Sequence, residues 1–385
     1  MTFWVFLYIA AAVQAALLAL ALWRRSANRE ANRILAVWVA LSGIDLAVKA
    51  VYWQLLSPEW FRAYRFVALF PFLYGSLFYL YVRALTKGCG FRGRDVVHLL
   101  GFGVMLLLNG YVLVMGHAQL QALSARWIAG ERSVGFWFDG PLFAYSLSYV
   151  VAALVRVHRH RRRLRERRSD ADRLSLRWID AMALCQIAIW SIAIVQALVD
   201  LPVINYMLLF GAVAGWVCMV GWFSLGQPPV VTEPDAEPSS DEVAAVAVAG
   251  QDDARYNAVE ARLAQLMGGA TSLYLEPALT IGQVARRSGY PEYLVSVVIN
   301  RRLGSSFWDY VNRLRVEAAR ACLSDAGDTR TVLDIAYACG FTSKSTFNAA
   351  FKRQVGETPS SYRKMATQPE HAAVTPASAA DDAGQ

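Results

Sequence analysis

Cysteine is scarce, and what there is stands in no useful pattern. The five residues Cys89, Cys185, Cys218, Cys322 and Cys339 are odd in number and scattered, with no C-x-x-C pair. That excludes a zinc ribbon and a disulfide framework, and leaves reduced thiols that are buried or face lipid. Charged residues are few as well, at 18%. No Lys or Arg precedes the first apolar run, which argues against a cleaved leader despite the Ala19-Leu20-Ala21 stretch. No receiver-like or kinase-like segment is present, so phosphorelay is not indicated. The apolar half shows no metal-ligand or nucleophile–base spacing, so no catalytic residue, metal or cofactor is expected there.

What the chain has in abundance is apolar sequence. It is 56% hydrophobic over 385 residues, with a mean hydropathy of +0.31, more apolar than a soluble protein of average composition. The length suggests two or three domains. The formal net charge of +8 suits anionic lipid or nucleic acid. Seven stretches match the roughly 20 residues needed to cross a bilayer core: 4–23, 34–56, 66–84, 96–116, 135–155, 178–199 and 203–225.

The loops between these stretches differ in charge. Arg24, Arg25, Arg29 and Arg33 follow the first, and Lys87, Arg92 and Arg94 follow the third. An arginine block from Arg156 to Arg168 follows the fifth. The alternate loops hold only Arg62, Arg65, Arg126 and Arg132. Positive residues collect on the cytoplasmic side of a cell membrane, so the N-terminus is expected outside and the C-terminal part in the cytoplasm. The arginine block reads as a solvated loop facing anionic headgroups.

Ionisable groups inside apolar spans are costly and tend to mark function. Asp45 and Lys49 stand four apart, on one helical face. Two readings are open. The pair neutralises itself within the bundle, or it lines a ligand pocket together with Asn109, Asp139 and Asn205, with His117 and Asp200 nearby. Pro71 and Pro141 are positioned to kink their helices and open such a cavity.

Beyond Leu225 the composition changes. Residues 226–253 contain Pro228, Pro229, Pro234, Pro238 and several acids but no Lys or Arg, the composition of a loose tether. A helix is predicted from about Ala254, with Val259, Leu263 and Leu266 on one side. Thr280 to Gln283 is a capping box opening a helix that turns at Ser288-Gly289-Tyr290, and the next helix covers 291–302. A longer helix follows, with Phe307, Val311, Leu314, Ala318 and Ala321 at core spacing. Thr331 to Asp334 caps a second unit. Its first helix turns at Gly340-Phe341-Thr342 into another that covers 343–354, with Phe347, Phe351 and Val355 inward. Each pair has the grammar of a helix-turn-helix, whose second helix enters the DNA major groove. Residues 366–385 read as a frayed tail.

Residues 256–364 resemble the DNA-binding domain of AraC/XylS-type transcriptional regulators. The resemblance is carried by Ile335-Ala336, Gly340-Phe341, Ser343, Ser345, Phe347, Phe351-Lys352, Gly356, Thr358-Pro359 and Tyr362-Arg363. In the first unit it is carried by Ala285, Gly289, Gly304, Phe307, Tyr310 and Arg315. The front half is unlike the sugar-binding barrel common in that family and resembles its less common members with a polytopic membrane sensor.

The resemblance implies two recognition helices in successive major grooves of double-stranded promoter DNA, about one turn (~34 Å) apart. By position, Tyr293, Ser296, Val297 and Asn300 face bases in the first, and Lys344, Ser345, Thr346 and Asn348 in the second. Arg301, Arg302, Lys352, Arg353 and Arg363 fall at phosphates. Val297 stands where the family often has Arg, and Ala349 where a long polar side chain is common. A homodimer is an expectation from the family alone.

The expected fold is therefore all-α: a seven-helix transmembrane bundle (1–225), a tether (226–253), a cytoplasmic double helix-turn-helix domain (254–365) and a tail (366–385). The expected function is a membrane-bound transcriptional regulator, not an enzyme, located in the inner membrane amid its lipids and coupling an envelope or small-molecule signal to DNA. The alternatives are an inert anchor in place of the sensor, or a polytopic transporter or membrane enzyme with a regulatory helical tail.

Overall fold

A computed structural model describes residues 2–129, 136–172, 176–199, 202–225, 230, 253–268 and 272–366. Apart from Val230, Asp253 and Ala366, the expected tether and tail lie outside the described residues. The chain divides into two compact units: Met1–His160 with Leu176–Ala236, and Arg161–Ser175 with Glu237–Gln385. Among the described residues both are helical, with no strand beyond one isolated bridge between Arg168 and Thr280.

In the first unit, α1 (Thr2–Arg24) and α2 (Arg29–Leu55) form a hairpin. The two helices approach closely at Gly43, where a Cβ would come within 2.8 Å of the Ala15 Cβ. Small residues at the crossing let the two backbones meet. Helix α3 (Pro58–Val67) is capped by the Ser57 hydroxyl and separated from α4 (Pro71–Lys87) by a turn over 68–70. Pro71 cannot donate a backbone hydrogen bond to the turn before it, so the break falls where that ring begins the next helix. After α4 come α5 (Leu100–Asn109), α6 (Tyr111–Val114), α7 (His117–Ile128), α8 (Phe136–Arg167), α9 (Arg177–Leu198) and α10 (Pro202–Leu225). Trp38, Phe78, Tyr81, Ala153, Ile179 and Val217 lie in the main core, drawn from α2, α4, α8, α9 and α10.

Seven uniform membrane-length helices are not found among the described residues. Within these residues, five helices are long and apolar enough to cross a membrane: Phe3–Arg24, Arg29–Leu55, Pro58–Lys87 (taken across the turn), Gly140–Arg167 and Arg177–Leu198. Leu208–Ser224, the part of the 24-residue α10 whose side chains are described, is apolar as well. The stretch expected at 96–116 is broken into a 3-10 segment (Gly93–Leu99), α5 and α6. The cause lies at its start. Asp95 accepts from the Arg92 backbone N–H at 2.6 Å and pairs with Arg83, which also holds the Gly90 carbonyl. The entry is thereby pinned in the tighter helix. The ten residues of α5 then span only about 15 Å.

In the second unit, α11 (Asp253–Met267), α12 (Ile281–Ser288) and α13 (Glu292–Val297) pack on the front of α14 (Phe307–Ser324). Helices α15 (Val332–Ala338), α16 (Lys344–Val355) and α17 (Pro359–Ala366) pack on its far end. Because α14 serves two cores, its buried stripe is wider than the sequence spacing suggests. Trp308, Asn312, Arg315, Val316, Ala319 and Leu323 are buried, while Leu314 and Ala318 are half-buried and Ala321 is exposed.

The segment 161–172 also belongs to this unit. Leu164 and Ala171 close over the Trp308 ring, the Ser169 N–H donates to the Leu279 carbonyl at 3.0 Å, and Asn312 Nδ2 donates to the Ser169 carbonyl at 3.2 Å. The end of the arginine block is thus helical and anchored to this unit through Leu164, while Arg162, Arg163 and Arg165 stay exposed as expected of a solvated block.

Candidate nucleic-acid interface

Local chemistry explains where three of the four helices of the two helix-turn-helix units start. Thr280 Oγ1 accepts from the Gln283 N–H at 3.3 Å, while Gln283 Oε1 accepts from the Thr280 N–H at 2.8 Å. Thr331 and Asp334 repeat the arrangement at 3.1 and 3.2 Å, and Ser343 caps α16 through the Thr346 N–H at 3.2 Å. Each cap satisfies backbone donors that the first turn of a helix leaves free.

The turn between α15 and α16 depends on Gly340, at φ 85°. A Cβ there would come within 2.7 Å of the Tyr274 and Leu275 carbonyl oxygens. Only glycine combines that conformation with that proximity. Arg315 sits beneath, 1% exposed, donating to the Tyr274 and Glu276 carbonyls at 2.7 Å each. Burial pulls its guanidinium down to about 10, still charged at neutral pH. The loop before the first helix-turn-helix is thereby tied to the middle helix.

On α16, Phe347 and Phe351 are fully buried against Phe341 and Tyr362. Opposite them, Lys344, Ser345, Asn348, Ala349 and Lys352 are exposed. Thr346, expected to face bases, is 5% exposed, and its hydroxyl accepts from Ser343 Oγ at 2.9 Å. It belongs to the cap, because a residue three after the N-cap turns back over that cap. The outward face is one side chain shorter than expected.

The first recognition helix begins at Glu292, with Pro291 as its N-cap, and closes in a π turn over Val298–Arg302. Leu303 donates to the Val298 carbonyl at 3.1 Å across that wider turn. Asn300 and Arg301 are exposed, and Ser296 and Val297 are half-buried. Asn300 Nδ2 donates to Ser296 Oγ at 3.2 Å, so these two present a joined polar surface. Tyr293 packs partly against the core.

The five expected phosphate contacts divide. Arg301 and Lys352 are exposed, with no partner among the described residues. Arg302 is held by Asn257 and Asp253 and lies 5.5 Å from the Tyr256 ring. Arg353 binds Asp309 at 2.9 Å and covers Trp308. Arg363 donates to the Arg330 carbonyl at 2.5 Å and to the Asp328 carbonyl. Three of the five therefore brace the domain. Their partners come from distant elements, which sequence spacing does not reveal.

In the first unit, Asp45 Oδ2 and Lys49 Nζ meet at 2.8 Å in a buried pair. Asn109 bonds the Met105 carbonyl of its own helix at 2.9 Å, and His117 pairs with Glu59 at 3.1 Å. Neither joins Asp45. The side chains of Asp139 and Asn205, and the whole of Asp200, lie outside the described residues. Among the described residues no group of three His, Cys, Asp or Glu could hold a metal.

Residues 284–365 match the helix-turn-helix domain family. The melibiose operon regulatory protein of Escherichia coli (strain K12) is 32% identical over 106 residues, covering 28% of this chain and 34% of that protein. The HTH-type transcriptional regulator Rv1931c of Mycobacterium tuberculosis (strain ATCC 25618 / H37Rv) is 38% identical over 84 residues, 22% of this chain and 32% of that one. Regulatory protein SoxS of Escherichia coli (strain K12) is 31% identical over 90 residues, 23% of this chain but 82% of its own length. The chain thus spans about a third of the melibiose regulator, and no solved structure matches. These relatives are transcriptional regulators, not enzymes. Through its C-terminal residues the chain belongs to the AraC family of helix-turn-helix transcriptional regulators.

Proposed function

We propose that this chain is a membrane-anchored, sequence-specific DNA-binding regulator that couples a small-molecule or envelope signal to transcription. The observation that carries it is the exposed row of Lys344, Ser345, Asn348 and Lys352 on a capped helix whose other face is locked into the core. Asn can read adenine edges, and Lys can read guanine edges or hold phosphates. Ser296 and Asn300 give the first helix a comparable surface, with Arg301 at a phosphate.

The anchor is supported by five membrane-length apolar helices and by the charge bias of the loops. The basic loops share one side only if the broken stretch from Gly93 to Val114 also crosses, and the C-terminal domain returns to that side only if α10, 24 residues long, crosses too. We therefore keep seven crossings, one of them broken, with the C-terminal domain in the cytoplasm. A broken helix is tolerable at membrane depth where protein surrounds it. Homodimerisation belongs to the same proposal.

The test is a promoter reporter driven by the full-length chain and by residues 254–385 alone. Signal-dependent output from the full chain, with unregulated output from the fragment, is the expected result. Identical output would reduce the first unit to an inert anchor. Silence from both would turn the reading toward a transporter or membrane enzyme.

A further inference from the structure

The first unit holds a partly open cavity of about 270 Å³. Ala68 and Pro71, the residues on either side of the break between α3 and α4, both line it, so the break helps to make room for it. That size is at the small end of ligand pockets, suited to a single-ring molecule rather than to a lipid. Trp38, Trp127, Phe143, Trp190, Phe210 and Trp216 supply an aromatic wall.

Among the described residues the charges of the lining do not cancel: it holds two cations, Lys49 and Arg65, and one carboxylate, Asp45. Lys49 is bound to Asp45 at 2.8 Å and lies 4.3 Å from the Phe210 ring centre. Arg65 is half-buried at the end of α3. Its guanidinium carbon lies 5.7 Å from the Trp127 ring, and no carboxylate among the described residues pairs with it. An ion held against an aromatic face in a partly dry site keeps its capacity for a bidentate acid. Gln186, 3% exposed, also lines the cavity and has no partner among the described residues. Its amide opens onto the cavity, where it is free to bond whatever fills that space.

From this juxtaposition of an unpaired arginine, an unpartnered buried glutamine and an aromatic wall, we infer that the cavity is a binding site for a small monocarboxylate with a single-ring apolar body. Arg65 takes the carboxylate, Gln186 donates or accepts at its edge, and the aromatic wall covers the ring. One negative charge on the ligand neutralises the excess positive charge of the described lining residues. The Asp45–Lys49 pair then forms part of the wall without being broken. The inference rests on the proposal that the first unit senses a small molecule, and supplies that molecule's class.

The experiment uses the full-length protein in phosphatidylcholine nanodiscs and measures binding by calorimetry. Three probes of similar shape are compared: 3-phenylpropionate, its neutral amide and the cationic 3-phenylpropylamine. The acid is expected to bind roughly tenfold or more tighter than the amide, the gain of a charge-assisted hydrogen bond. Arg65→Gln abolishes that preference while leaving the amide within about twofold, since the amide never used the charge. Arg65→Lys restores part of the preference and shows that the folded site survives substitution. The site is rejected if none of the probes binds, if acid and amide bind alike, if the amine binds tightest, or if Arg65→Gln keeps the acid preference. Binding of the acid without any response of the reporter keeps this site and rejects sensing. A reporter that responds to a stimulus while no acid binds rejects this site and leaves sensing intact.

Discussion

The guanidinium carbon of Arg353 lies 4.5 Å from the centre of the Trp308 ring. The same side chain donates to Asp309 Oδ1 at 2.9 Å. Its neighbour Lys352 is exposed with no partner among the described residues. Adjacent basic residues at the end of one helix thus have different work. Lys352→Ala is expected to weaken binding to all DNA sequences and lower the salt slope by about 1. Arg353→Ala is expected to leave that slope unchanged and lower the melting temperature instead. Binding isotherms across a salt series, beside thermal denaturation, check both.

Asn348 and Thr346 are two residues apart but point to opposite sides of α16. Asn348→Ala should cost about 1–3 kcal/mol at the preferred site and little on random DNA, the range for a lost bidentate base contact. Thr346→Val should leave the ratio of specific to random affinity intact, because that side chain is buried under the cap. Competition binding with both DNAs separates the two.

Trp308 is buried beneath Leu164 and Ala171, and Asn312, fully buried, holds the Ser169 carbonyl. Trp308→Ala should destabilise the second unit of the full-length chain by about 3–5 kcal/mol. A fragment of residues 254–385 lacks the 161–172 segment and exposes that ring, so the same substitution should cost less there. Denaturant unfolding of both proteins measures the difference.

Asp328 is gripped by the Arg330 side chain at 2.6 Å and by its backbone N–H at 3.0 Å, which holds the carboxyl down at about 2. A carboxyl depressed in the fold contributes stability above its unfolded value of about 3.9, and that contribution disappears as pH falls toward the folded value. The stability gap between wild type and Asp328→Asn is therefore expected to be constant near neutrality and to close on acidification through this window. Melting temperatures of the 254–385 fragment across that pH range give the test.

Much of the second unit was legible in the chain. Thr280, Thr331 and Ser343 act through neighbours three residues on, and Phe347 and Phe351 follow helical spacing to the core. These are local rules, and local rules survive folding. What escaped was set at a distance. Thr346 looks outward on a helical wheel until its hydroxyl finds Ser343. Arg302 and Arg363 look like free cations until Asp253 and the Asp328 carbonyl arrive from other elements. Arg315 is one of the residues that carry the family resemblance, yet its hold on Tyr274 and Glu276 needs the fold.

In the first unit, apolar length identified five helices. It could not show that Arg83 and Asp95 would pin the next stretch into a 3-10 segment. Of the expected pocket residues, Asp45 and Lys49 line the cavity. In sequence Arg65 belongs to a sparsely charged loop, and Gln186 is a polar residue within an apolar run. Gln186 and Gln196, two amides ten residues apart in one apolar helix, are the signal that points to the cavity.

The central claim is that one polypeptide is held in the bilayer while it binds the chromosome. The most direct measurement is cross-linking of intact cells, followed by an alkaline wash of the membranes and sequencing of the DNA retained with the full-length chain. The expected result is a full-length protein that resists the wash and carries a small set of promoter fragments. A chain released by alkali, or promoter DNA recovered only with a soluble C-terminal fragment, would contradict the account.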